Sequence, residues 1–101
     1  MNTSRIDFET LTWTQAAEGL RYKSAESEGR RVRLLEFAAG YREAEPCVKS
    51  HIGYVIEGEL EVEFSDRTER FGRGDALVIH AEPHSAKACV GRVLLFLVED
   101  V

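Results

Sequence analysis

In the stretch Glu59-Leu60-Glu61-Val62-Glu63-Phe64 a glutamate alternates with an apolar side chain at every step, with Gly58 before it and Ser65-Asp66 after it. Successive side chains of an extended backbone point to opposite faces, so this segment carries carboxylates on one side and apolar groups on the other. A helix cannot sort these residues in that way, whereas a strand with one wet and one dry face can. The glutamates are therefore expected to form a solvated outer face rather than a calcium site. Arg31-Val32-Arg33-Leu34 alternates in the same manner, and "ALVI" (76–79) and "VLLFLV" (93–98) are apolar runs of strand length. Gly40, Gly53, Gly58, Gly72, Gly74 and Gly91 recur between them at the spacing of turns in a sandwich or barrel. The pattern predicts strands near 31–37, 50–57, 59–65, 76–80, 84–90 and 92–99, with edge strands from the N-terminal region. Only "WTQAAEGL" (13–20) has the composition of a helical turn. The expected fold is all-β, a single antiparallel β-barrel or jelly roll.

A chain of 101 residues suits one domain spanning 1–101, because one core of this size uses all the apolar surface available. Its net charge of −5, with only Arg30, Arg31 and Arg33 clustered, argues against nucleic acid and against a polybasic membrane patch. No run approaches the ~18 apolar residues of a membrane span, and the start, "MNTSRIDFETLTW", has no continuous apolar stretch. A cytoplasmic location is expected, where Cys47 and Cys89 would remain reduced thiols.

The three histidines, His51, His80 and His84, lie in two short regions, each beside a strand bounded by glycine. Residues two or four apart in an extended segment point the same way, so Glu45, Cys47 and His51 can share a face, as can His80 and His84. Thiolate, imidazole and carboxylate are all competent ligands for a transition metal. A thiolate with imidazoles favours zinc, iron, nickel or copper over magnesium or calcium.

"HIGYVIEGEL" (51–60), followed by "GRGDALVIHAEPH" (72–84), resembles the two motifs of the cupin superfamily, small β-barrels with a cup-shaped site. In that family the first motif has two histidines separated by one residue, a glutamate three or four residues later and a glycine seven residues beyond it. Anchored on Gly58, the resemblance places His51 at the glutamate position, and Glu45 and Cys47 at the two histidine positions. The second motif begins at Gly74-Asp75 and ends in a further ligand histidine. Here His80 stands where proline is usual and Glu82 where glycine is usual. The turn is one residue short, so His84 precedes the nominal position, which Ser85 occupies. The resemblance runs from about Leu20 to the C-terminus and implies a metal site drawn from His51, His84, Cys47 and Glu45.

Two functions fit these residues. One is a metal-dependent enzyme of the oxygenase, isomerase or lyase type acting on a small polar molecule. The other is a non-catalytic cupin, its metal site degraded by the altered motifs, that binds a small ligand or serves as an interaction module, so catalysis stays open at this point. A homodimer is expected, with Ile6, Phe8, Leu11 and Trp13 on an N-terminal strand as the contact. Arg31 and Arg33 either reach inward to a carboxylate or lie in solvent, and solvation is the expected case.

Overall fold

A computed structural model describes residues 4–100. The described residues contain one 3₁₀ turn, Phe8–Thr10, and nine strands: β1 Thr14–Ala17, β2 Leu20–Ser27, β3 Arg30–Phe37, β4 His51–Glu57, β5 Glu59–Phe64, β6 Thr68–Gly72, β7 Ala76–Ile79, β8 His84–Lys87 and β9 Val93–Asp100. They form a six-stranded sheet, β1-β2-β3-β9-β4-β7, and a three-stranded sheet, β6-β5-β8. Every pairing is antiparallel. The two sheets enclose one core, as the jelly-roll expectation requires. No helix among the described residues is long and apolar enough to cross a membrane.

Strand parity builds that core. In β9 the residues Val93, Leu95 and Leu97 are buried while Leu94, Phe96 and Val98 face the other way, and in β5 Leu60 and Val62 are buried between the glutamates. The glutamate face meets cations on the outside: Arg70 lies 3.3 Å from Glu59, and Lys87 lies 3.0 Å from Glu63. Glu59 and Glu63 match the solvated face expected from the alternation, whereas the Glu61 side chain is only 16% exposed, covered by Lys87 and Cys89.

Two N-terminal expectations change. Residues 13–20 hold an edge strand and a turn rather than a helical turn. β1 is exposed at all four positions, so no buried face imposes an alternation that the sequence could show. The segment ahead of it is not a strand. It folds over its own sheet, with the Phe8 ring 6.2 Å from that of Phe96, Lys23 Nζ donating to the Phe8 carbonyl at 2.7 Å, and Arg21 stacked 4.2 Å above Trp13.

The turn from β4 into β5 depends on Gly58. Its φ is +85°, and a Cβ there would sit 2.2 Å from the Arg92 carbonyl oxygen. A side chain would meet both left-handed backbone strain and a main-chain clash that no rotamer relieves. Gly58→Ala is therefore expected to lower stability by about 3 kcal/mol or more in urea unfolding. A loss below about 1 kcal/mol would show that the β9 backbone yields easily.

Candidate functional site

β4 and β8 begin at the same end of the barrel, and each begins with a histidine. The segment before β4 crosses close to β8, where the Cys47 N–H donates to the His84 carbonyl at 2.7 Å and the His84 N–H donates back at 3.0 Å. This backbone pair fixes the Cys47 side chain against the two rings. The Cys47 Sγ, one nitrogen of His51 and one of His84 all lie within 4.8 Å of one another. The Cys47 Sγ is 3.4 Å from His51 Nε2, and the two imidazoles meet edge to face with centroids 5.2 Å apart. His84 is buried, and the His51 side chain is only 10% exposed.

The nitrogens of the two rings are not equivalent. His84 Nδ1 lies 2.9 Å from the Glu82 carbonyl and so must be the protonated nitrogen, which leaves Nε2 free as a ligand atom. His51 Nδ1 lies 3.0 Å from Glu99 Oε2. Glu99 in turn is held by Arg33, whose Nε and Nη2 each donate to one carboxylate oxygen at 2.8 Å. Arg31 Nε stands farther off, 3.5 Å from Glu99 Oε1, and makes no aligned hydrogen bond. Burial opposes ionisation of Glu99, but the Arg33 guanidinium outweighs it and holds the carboxyl below the usual carboxylate range. Burial lowers the His51 pKa from the ordinary histidine value, with the Glu99 charge working against that shift.

The structure thus brings Cys47, His51 and His84 together, and it leaves Glu45 exposed on the loop outside this group. His80 is exposed as well. Cys47 and Cys89 are both free thiols. Arg31 and Arg33 both depart from the solvated expectation, since β3 turns them inward to Glu99.

Sequence reasoning missed Glu99. Its signal was parity: Glu99 is in phase with the buried Val93, Leu95 and Leu97, and Arg33 is in phase with the buried Leu35 and Phe37. A charge at the end of each buried face, on two strands that pair with each other, marks an internal ion pair.

The three side chains suit a transition metal. A tetrahedral zinc site, with bonds of about 2.0–2.1 Å to nitrogen and about 2.3 Å to sulfur, places neighbouring ligand atoms roughly 3.4–3.6 Å apart. The sulfur–nitrogen distance between Cys47 and His51, 3.4 Å, meets that, and the three ligand atoms together span no more than 4.8 Å. Two clefts of about 300 Å³ approach the group. One is lined by His51, Ile79, His80 and Glu99, and the other by Pro46, Phe64, Pro83 and His84. Either has the volume for a small molecule.

No protein-family model matches the chain, and no curated protein does. Solved structures do. The chain is similar to KdgF from a Halomonas species, at 26% identity and a TM-score of 0.77, over 89% of this chain and 87% of that one. It is also similar to an RmlC-like cupin from Shewanella frigidimarina, at 18% identity and a TM-score of 0.80, over 98% and 91% of the two chains. A third likeness is to the polyketide cyclase RemF from Streptomyces resistomycificus, at 18% identity and a TM-score of 0.80, over 98% and 80%. With two antiparallel sheets closing on one core, and with these neighbours, the chain has the small β-barrel fold seen in cupin structures.

Proposed function

We propose that Cys47, His51 and His84 hold one divalent transition metal, with a coordination position left open for a small polar molecule. The observation that carries this reading is the convergence of one sulfur and two nitrogens within 4.8 Å at the mouth of the barrel. Zinc, iron, nickel and copper all suit such a donor set. Bound there, the metal supplies Lewis-acid or oxygen chemistry, and three protein ligands leave room for a substrate atom. The enzyme reading is an oxygenase, isomerase or lyase type of reaction in the cytoplasm. Its support is that the similar structures include a polyketide cyclase. The second reading is a non-catalytic ligand-binding cupin, favoured by the exposure of Glu45 and His80, which withdraws two candidate ligands from the site.

Metal analysis of protein purified without a polyhistidine tag separates the metal-site reading from a degraded, metal-free site. About one equivalent of a transition metal is expected. Protein that stays metal-free after incubation with zinc, iron, nickel and copper salts would overturn the proposal.

The chain is also proposed to act as a homodimer. The support is the outer face of the six-stranded sheet. Register aligns Val78, Ile52, Val98 and Val32 in one row and Ala76, Tyr54, Phe96 and Leu34 in the next. Ile52 remains 58% exposed and Val78 65%. The N-terminal segment covers Phe96 and leaves the β4–β7 half of this face open, an apolar patch suited to a second copy. Sedimentation equilibrium should give a dimer, and the double variant Ile52→Lys, Val78→Lys should give a folded monomer. A monomeric parent protein at high micromolar concentration would refute this.

A further inference from the structure

A histidine is a metal ligand only through a nitrogen that carries no proton, so a site built from imidazoles needs each ring fixed in one tautomer. His84 meets that need through the Glu82 backbone carbonyl, 2.9 Å from its Nδ1. His51 Nδ1 meets no backbone acceptor, and a carboxylate faces that nitrogen instead. Glu99 is 6% exposed, and its Oε2 is 3.0 Å from His51 Nδ1. Arg33 binds both oxygens at 2.8 Å, so the carboxylate cannot swing away without breaking two charge-assisted hydrogen bonds.

The contact at Nδ1 is close but not aligned along the N–H direction, and no other hydrogen-bond partner serves that atom. Electrostatics still selects the tautomer. A lone pair at Nδ1 would face an anionic oxygen at 3.0 Å and be repelled, whereas a proton there is attracted. At the opposite corner of the ring, Nε2 lies 3.4 Å from the Cys47 Sγ. With the proton on Nδ1, Nε2 presents its lone pair to the place where the sulfur and His84 converge.

We propose that Glu99, braced by Arg33, is the positioning residue of this site: it keeps the His51 proton on Nδ1 and turns Nε2 into a ligand atom. The tautomer part stands on the protein alone, and the effect on metal rests on the proposed metal site. Arg33 acts one step farther out. It fixes the carboxylate that fixes the ring.

The test is two-bond ¹H–¹⁵N NMR of the histidine rings in metal-free, ¹⁵N-labelled protein, together with zinc titration, for the parent chain and Glu99→Gln. In the parent protein, at a pH where the ring is neutral, His51 should carry its proton on Nδ1. Glu99→Gln should give a mixture of tautomers or the Nε2–H form, and zinc affinity should fall about 10- to 100-fold. A parent His51 protonated on Nε2 would overturn the proposal, as would a Glu99→Gln protein with unchanged tautomer and affinity. Should Glu99→Gln fail to fold, the parent tautomer alone decides. An Nδ1–H His51 in a parent protein that takes up no zinc supports the role of Glu99 in holding the ring and removes the metal reading.

Discussion

Replacing Cys47 by serine should abolish most transition-metal affinity while leaving the barrel folded. Structural zinc sites bind with about 10–16 kcal/mol at neutral pH, so each of four ligands is worth roughly 2.5–4 kcal/mol, and losing one weakens binding about 100- to 1,000-fold. A serine hydroxyl does not restore that, because it stays protonated where a thiol beside a metal does not. The fold is insulated from the change. Cys47 is tied to His84 through main-chain atoms on both sides, and its side chain lies at the rim of the core rather than in it. Binding to the parent protein should also weaken as pH falls, since the thiol and both imidazoles must give up protons to bind. Isothermal titration with zinc and a melting curve for each protein read both quantities. Unchanged affinity with a lowered melting temperature would assign Cys47 to packing and remove it from the site.

Arg33→Ala should be the most damaging single change to stability near the site. Breaking a buried ion pair costs about 3–5 kcal/mol, because one charge is left without a partner in a poorly solvated place. Here about 3 kcal/mol is expected, the lower end, since Arg33 is itself 24% exposed and Arg31 stands 3.5 Å from Glu99. For a domain near 100 residues that is a fall of roughly 15 °C in Tm. The pH dependence supplies an independent signature. With its pKa lowered in the folded protein, Glu99 stabilises the fold fully above its unfolded value of about 4.3, and this is lost as pH falls through the lowered folded value. In the variant, burial, the largest influence, is opposed only by His51 and Arg31, and the folded pKa is expected to rise above the unfolded one. The sign then reverses: the Glu99 contribution is complete below about pH 4.3 and is lost as pH rises through the raised folded value. Urea unfolding of both proteins across this range tests the reversal. Parallel pH profiles would mean that Glu99 does not depend on Arg33.

How much of this molecule is legible in its sequence follows from where side chains are buried. β5 and β9 were readable because one face of each lies in the core, and a buried face imposes a pattern of period two. β1 and β6 are edge strands, fully or largely exposed, so hydrogen bonding to a single neighbour defines them and leaves no hydrophobic trace. The Glu and Gly of "WTQAAEGL" lie in a sequence that suits a helix, and pairing with β2 overrides that local preference. Around the site, His51 and His84 stood out by motif, but the depth of His84 did not. A turn one residue short could have sent its ring either way, and the main-chain pairing of Cys47 with His84 is what directs it inward. Glu99 was overlooked because a charged residue at a strand end reads as solvent-exposed until its partner strand, and Arg33 upon it, is known.

X-ray absorption at the metal edge, on zinc-loaded protein free of any tag, reads the donor atoms of the site themselves. The account predicts a first shell of one sulfur at about 2.3 Å with two imidazole nitrogens at about 2.0–2.1 Å and one light solvent atom, and loss of the sulfur in Cys47→Ser. A shell of light atoms alone in the parent protein, unchanged by that substitution, would contradict it.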